Sequence, residues 1–266
     1  MNPRAIQRAV VRMLYEPGFA AAIHGARAVP GLTEAERALL RRVDPRAFTT
    51  DGFRRARAVQ AIVEEFPCSA AAVGLARVEE FLKSREFVGC LTGRGSMGLA
   101  FATWLEDQAA GVGKIEAAMA QLRRGEVPGA TSPGVLRCAG SLAPLTVPAG
   151  SLAWYEATRA WLGATPLATL TGQPTVLGQA ARAAPPRRSP VRGRDVGEEH
   201  LLLEVGANGE MALGTASEAL VRLLRFARRG RTRAELEREA ITRGAARDEA
   251  TGVIDDLLAQ GLLVAD

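Results

Sequence analysis

The chain has 266 residues, 47% of them hydrophobic and 24% charged, with a formal net charge of +5. That is ordinary globular composition, with apolar side chain enough for one large domain or two smaller ones. No apolar run approaches the ~18 residues needed to cross a bilayer, which excludes a membrane-spanning helix.

The first twelve residues carry Arg4, Arg8 and Arg12 but no apolar block with a small-residue cleavage site, so no signal peptide is expected. Cys68, Cys90 and Cys138 are odd in number and scattered. They imply no disulfide framework and a cytoplasmic, reducing setting.

In chain order, Pro3–Tyr15 reads as a first helix with its arginines along one face. Thr33-Glu34-Ala35-Glu36 has the capping-box form and opens a helix to Arg42. After Thr50-Asp51, Phe53, Ala56, Val59, Val63 and Phe66 recur at three- and four-residue steps, and Pro67 ends that helix. Shorter helices are expected over Ser69–Val73, Arg77–Lys83 and Gly98–Glu106, and Val112, Ile115, Met119 and Leu122 define the face of another. Gly93-Arg94-Gly95-Ser96-Met97-Gly98 is glycine-rich, but no strong strand precedes it. It reads as a loop before a helix rather than a phosphate cradle.

Val135-Leu136-Arg137-Cys138 and Leu145-Thr146-Val147 are short strands or extended connections. Ser151–Leu162 is expected to be a helix bearing Trp154, Tyr155 and Trp161. Aromatics concentrated in this way suit a packing seam between units or a partner interface. Ala180–Gly197, with Pro185-Pro186-Arg187-Arg188-Ser189-Pro190 inside it, has no apolar period and the chemistry of a basic linker. Charge changes sign there: residues 1–195 hold 25 Lys+Arg against 16 Asp+Glu, and residues 196–266 hold 9 against 13.

Beyond the linker, His200–Val205 and Glu210–Leu213 flank Gly206-Ala207-Asn208-Gly209 as a hairpin. Thr215-Ala216-Ser217-Glu218 and Thr232-Arg233-Ala234-Glu235 are further capping boxes, each opening a helix. A last helix runs from Arg247 to Gln260, Gly261 stops it, and Leu262-Leu263-Val264 is extended. The expected fold is mainly α with a small α+β module. A helical bundle covers residues 1–130, a connecting segment and basic linker 131–197, and a winged-helix-like module 198–266.

The function classes narrow accordingly. His24 and His200 are isolated, and no zinc, P-loop, dinucleotide or serine-hydrolase motif is present. A non-enzyme without its own metal is expected. In a winged helix the third helix enters the major groove. Here Arg247 faces Asp248, Glu249, Asp255 and Asp256, so phosphates are repelled and nucleic acid is disfavoured. A peptide added as a strand fits better, its side chains lodging between the hairpin and the last helix. Leu201, Leu202, Leu203, Glu204 and Val205 would supply the edge, and Ile254, Leu257 and Leu258 the groove.

Phe53-Arg54-Arg55-Ala56 through Glu64-Glu65-Phe66-Pro67, Val73-Gly74, Glu80-Phe81-Leu82 and Ser96–Leu105 form a diffuse pattern across the bundle. With Ile115-Glu116, Trp154-Tyr155, Trp161, Leu220-Leu223-Leu224 and Gly261-Leu262-Leu263, it resembles the partner subunits of multinuclear iron-dependent oxidases. Those subunits act in ribosomally synthesised peptide (RiPP) maturation, as in methanobactin and 3-thiaglutamate biosynthesis. The family's Leu-Glu-Trp reads here Ile115-Glu116-Ala117. The resemblance implies a C-terminal RiPP-recognition-element-like module that binds a precursor's leader. It also implies a barrel oxidase as partner that carries the iron, docked on the bundle and on the Trp154, Tyr155 and Trp161 segment. The alternative is a DNA-binding or transcription-associated protein.

Overall fold

A computed structural model describes residues 1–16, 18–49, 52–105, 109–125, 134–164, 197–206 and 208–265. Ten helices lead the described chain: α1 Pro3–Tyr15, α2 Phe19–His24, α3 Glu34–Leu40, α4 Arg46–Thr49, α5 Gly52–Glu65, α6 Pro67–Val73, α7 Leu75–Phe81, α8 Arg85–Gly93, α9 Met97–Trp104 and α10 Ala110–Arg123. Strands β1 Leu136–Cys138 and β2 Leu142–Pro148 and helix α11 Ser151–Ala164 follow. The hairpin β3 Glu198–Val205 and β4 Met211–Thr215, helices α12 Glu218–Ala227, α13 Arg233–Thr242 and α14 Ala250–Ala259, and β5 Leu263–Ala265 complete the order. The expected linker lies outside the described residues except for Gly197.

Two compact units divide the chain: described residues within Met1–Glu116 and Ala153–Arg187 form one, and those within Ala117–Leu152 and Arg188–Asp266 the other. This differs from the expected partition. Residues 134–148 are not a connection but two strands of the second unit, β1 pairing with β5 and β2 with β3.

In the first unit, α1 packs against α8, and α5 against α6, α7 and α9. A run of edge-to-face aromatic contacts joins these layers: Tyr15 to Phe87 at 4.8 Å, Phe87 to Phe81 at 5.4 Å and Phe81 to Phe101 at 5.2 Å. Such pairs add about 0.5–1.5 kcal/mol each beyond the area they bury. The inward stripe of α5 is Ala58, Ile62, Val63 and Phe66, whereas Phe53 and Ala56 face solvent, so the expected face is displaced along its first turns. Pro67 does not merely stop α5; it is the first residue of α6, where a missing N–H is harmless. Helices α2 and α8 were not expected. Ser84 caps α8 by accepting the Phe87 N–H at 3.1 Å.

Helix α3 begins as expected, with Thr33 and Glu36 forming both halves of a capping box. Its buried Arg37 serves a different purpose. The guanidinium donates to the carbonyl oxygens of Ile23 at 3.0 Å, Ala22 at 3.4 Å and Gly25, closing the C-terminal end of α2. Charge-assisted bonds to orphan carbonyls are the stronger kind. Arg37→Met keeps the apolar stem and removes every donor, so it should lower the unfolding free energy by about 2–3 kcal/mol in urea titration.

In the second unit, Leu136, Cys138, Leu142, Leu223, Leu224, Leu236, Ile254, Leu257 and Leu263 share one core. Strand β1 and helices α12–α14 therefore enclose one side of the sheet. Thr232 and Glu235 form the capping box of α13 as expected. At α12 the cap is Ser217, not Thr215, because Thr215 is still the last residue of β4 and its backbone is committed to the ladder. The last helix starts later than expected, at Ala250.

Candidate functional site: an open strand edge

The three-stranded sheet runs β2-β3-β4, antiparallel throughout. Strand β3 is its centre. Leu203 lies opposite Ala143 on one side and Leu213 on the other, and Leu201 lies between Leu145 and Thr215. The expectation that Leu201–Val205 offer an open edge is therefore corrected: the segment is paired on both sides. Sequence reasoning missed this because β2 is remote in the chain and its prolines made it look like a connection.

Ladder parity shows which edges stay open. The Ala149 N–H donates to Gly197 at 2.8 Å and the Val205 N–H to Ser141 at 2.9 Å, so odd residues of β2 face β3 and even ones face outward. Pro144 and Pro148 are among the outward residues, and both lack a donor. Prolines of this kind block strand addition. On the other side, the Ala216 N–H donates to His200 at 2.9 Å and the Gly206 N–H to Glu210 at 2.8 Å. Even residues of β4 thus face β3, and Met211, Leu213 and Thr215 present their N–H and C=O groups outward. Among the described residues no strand pairs with that side of β4. Its sequence, Met211-Ala212-Leu213-Gly214-Thr215, contains neither charge nor proline.

The predicted site residues separate into two groups. Leu201 and Leu203 are 0% exposed on one face of β3. On the other face, Leu202 packs against the core that holds Ile254 and Leu257, with Leu258 at its margin. Helix α14 packs chiefly on α13 and β5, and the helix against the sheet is α12. The expected edge residues Leu201 and Leu203 and the expected groove residues Ile254 and Leu257 are thus corrected to core. Glu204 is exposed and Val205 half-buried beside the turn. Tyr155 is buried, whereas Trp154 and Trp161 are half-buried.

Beside the hairpin, His200 Nδ1 lies 3.3 Å from Thr146 Oγ1, which also accepts from Arg225 at 3.2 Å. His200 Nε2 is 3.9 Å from Glu218. This places His200 in a polar seam between the sheet and α12. The Nε2 of His24 is buried without a hydrogen-bond partner. Among the described residues, no three His, Cys, Asp or Glu side chains come together as a metal site.

The most perturbed carboxylate is Glu116 of α10. It accepts the backbone N–H groups of Cys68 and Ser69, each at 2.8 Å, at the start of α6, where no side chain of that helix supplies a cap. Burial pushes it up to about 7, against the opposing pull of the Ser69 and Cys68 hydrogen bonds. Burial also raises all three cysteine thiols, Cys68 further because Glu116 stands beside it and Cys138 to about 11. A raised thiol pKa favours the protonated form, which is the less nucleophilic one.

No protein-family model and no curated protein matches the chain.

Proposed function

We propose that this chain is a non-catalytic peptide-binding subunit that receives a precursor's leader as a fourth strand on β4. In this reading the hairpin and helices α12–α14 are a winged-helix-like, RiPP-recognition-element-like module. The core of the precursor is offered to an iron-dependent barrel oxidase, which carries the metal and docks on the helical unit and the Trp154–Trp161 segment.

The observation that carries the reading is the uncharged edge of β4, whose outward N–H and C=O groups have no strand partner among the described residues. Strand addition supplies hydrogen bonds independent of sequence, while alternate side chains give selectivity. The resemblance of the chain to RiPP partner subunits supports the same assignment. Helix α14 argues against the duplex-DNA alternative: Asp255 and Asp256 are exposed on it, and Asp255 holds Arg233 at 2.6 Å.

The test is fluorescence anisotropy with the labelled leader segment of a ribosomally synthesised precursor peptide. Leu213→Pro removes an outward donor but no bond to β3, so the variant stays folded by circular dichroism and binds at least about tenfold more weakly. Leu203→Pro cannot serve, because its N–H is spent inside the sheet. Unchanged leader affinity in folded Leu213→Pro overturns the assignment to β4, and tight binding of duplex DNA in place of peptide overturns the function.

A further inference from the structure

In the first unit, α1, α2 and the segment after α2 line a cavity of about 570 Å³, the size of a small-molecule site. Two guanidinium groups, Arg12 and Arg27, belong to its lining, together with Phe19, Val29 and Pro30, and among the described residues no carboxylate does. We propose that this cavity binds a small organic monocarboxylate. Its charged end meets the two arginines, and its apolar body lies on Phe19 and Pro30.

Three observations carry the assignment. First, Arg12 is held in place before any ligand arrives. Its Nε and Nη2 donate to the Glu16 carboxylate at 2.6 and 2.9 Å, and its guanidinium lies 3.8 Å over the Phe19 ring. Nη1 is left without an acceptor among the described residues, so a fixed charge-assisted donor remains to be used. Second, the charge suits one carboxylate. Arg27 is exposed and has no acidic partner among the described residues, while Glu16 neutralises Arg12, leaving one net positive charge. Third, the wall is tied at both ends. The Gly25 carbonyl accepts from Arg37 and, at 2.8 Å, from Arg41, and the Leu32 N–H donates to Val29 at 3.3 Å. Between these ties the N–H groups of Ala26, Arg27 and Ala28 bond to no described residue and are available to an anion.

The apolar part of the lining favours an organic acid over an inorganic anion. Phe19 and Val29 are anchored in the core with Met13, Ile23 and Leu40, so they form a firm floor that a bare phosphate would leave uncovered. The site lies wholly in the first unit and does not depend on the leader reading.

The experiment titrates the full chain with 1-naphthylacetate, following backbone amides by NMR. Saturable shifts are expected at Ala26, Arg27 and Ala28, with Kd on the order of 0.1–1 mM. The uncharged 1-naphthylacetamide, of the same shape, binds about tenfold more weakly, and inorganic phosphate does not compete at equal concentration. Arg27→Gln weakens the acid about tenfold and leaves the amide's affinity unchanged. Arg8→Gln, which removes an exposed arginine outside the lining, leaves both unchanged. No saturation below about 10 mM overturns the proposal. Equal affinity for acid and amide, displacement by phosphate, or equal losses in Arg27→Gln and Arg8→Gln would each overturn it as well.

Discussion

Glu116→Ala should lower the unfolding free energy by about 3–5 kcal/mol. Two mechanisms combine. The Cys68 and Ser69 N–H groups, each bonded to the carboxylate at 2.8 Å, are left buried without an acceptor, and a cavity opens where α10 meets α6. The wild type should also show a specific pH response. The Glu116 pKa is raised to about 7 in the fold, against 4.5 as the ordinary value, so the native state holds a proton that the unfolded chain releases between those limits. Stability contributed by this group is therefore fully present below about pH 4.5 and is lost as pH rises through 7. The size is at most about 3 kcal/mol from the shift itself. Urea midpoints at pH 5.5 and 8 should differ in the wild type and differ less in Glu116→Gln, which cannot titrate. Equal pH slopes in the two proteins would remove Glu116 as their source.

Gly98→Ala is the second large effect. A Cβ at Gly98 would meet the Phe66 ring at Cε2, would stand 2.6 Å from its Cδ2 and would lie 2.6 Å from Glu65 Oε2. Phe66 is 0% exposed and cannot swing aside. Alanine normally stabilises a helix by about 1 kcal/mol over glycine, yet overpacking here should reverse the sign and cost about 1–3 kcal/mol. Gly89 of α8 is the internal control. Nothing lies within 4 Å of its Cβ position, so Gly89→Ala should stabilise by about 0.5–1 kcal/mol. Thermal unfolding of the two variants side by side checks the contrast, and equal shifts would refute it.

Features that depend on neighbours in sequence were legible without a structure. Helix α1 has the expected bounds, and the Thr33 and Thr232 boxes form because hydroxyl, carboxylate and backbone lie within four residues. The β3–β4 hairpin follows from Gly206 and Gly209, the latter at φ +81°, a conformation that glycine adopts freely. Features that depend on distant segments were not legible. Leucines at 201–203 look the same in a central strand as in an edge strand, and only the pairing with β2 tells them apart. Phe53 fits the apolar period of α5, yet it is 67% exposed with the Arg57 guanidinium 4.6 Å above its ring. Period alone cannot separate a buried aromatic from one covered by an arginine. Glu116 carried a readable signal, a carboxylate directly after Ile115 on the apolar face of its helix, but its partners at Cys68 and Ser69 could not be read from spacing.

The pairing of β1 with β5 governs the order in which the second unit can form. Leu136 and Cys138 enter its core beside Leu263, yet most of that unit's sequence separates them. Loop closure on this scale is slow, and strands far apart in sequence join late. During synthesis much of the first unit can pack as it emerges, because α5 with α6, α6 with α7, and α8 with α9 are neighbours in the chain. The second unit must instead hold β1 and β2 unpaired until the later strands leave the ribosome. Through that interval the apolar strand Leu142–Pro148 is shielded from wrong partners mainly by its own two prolines.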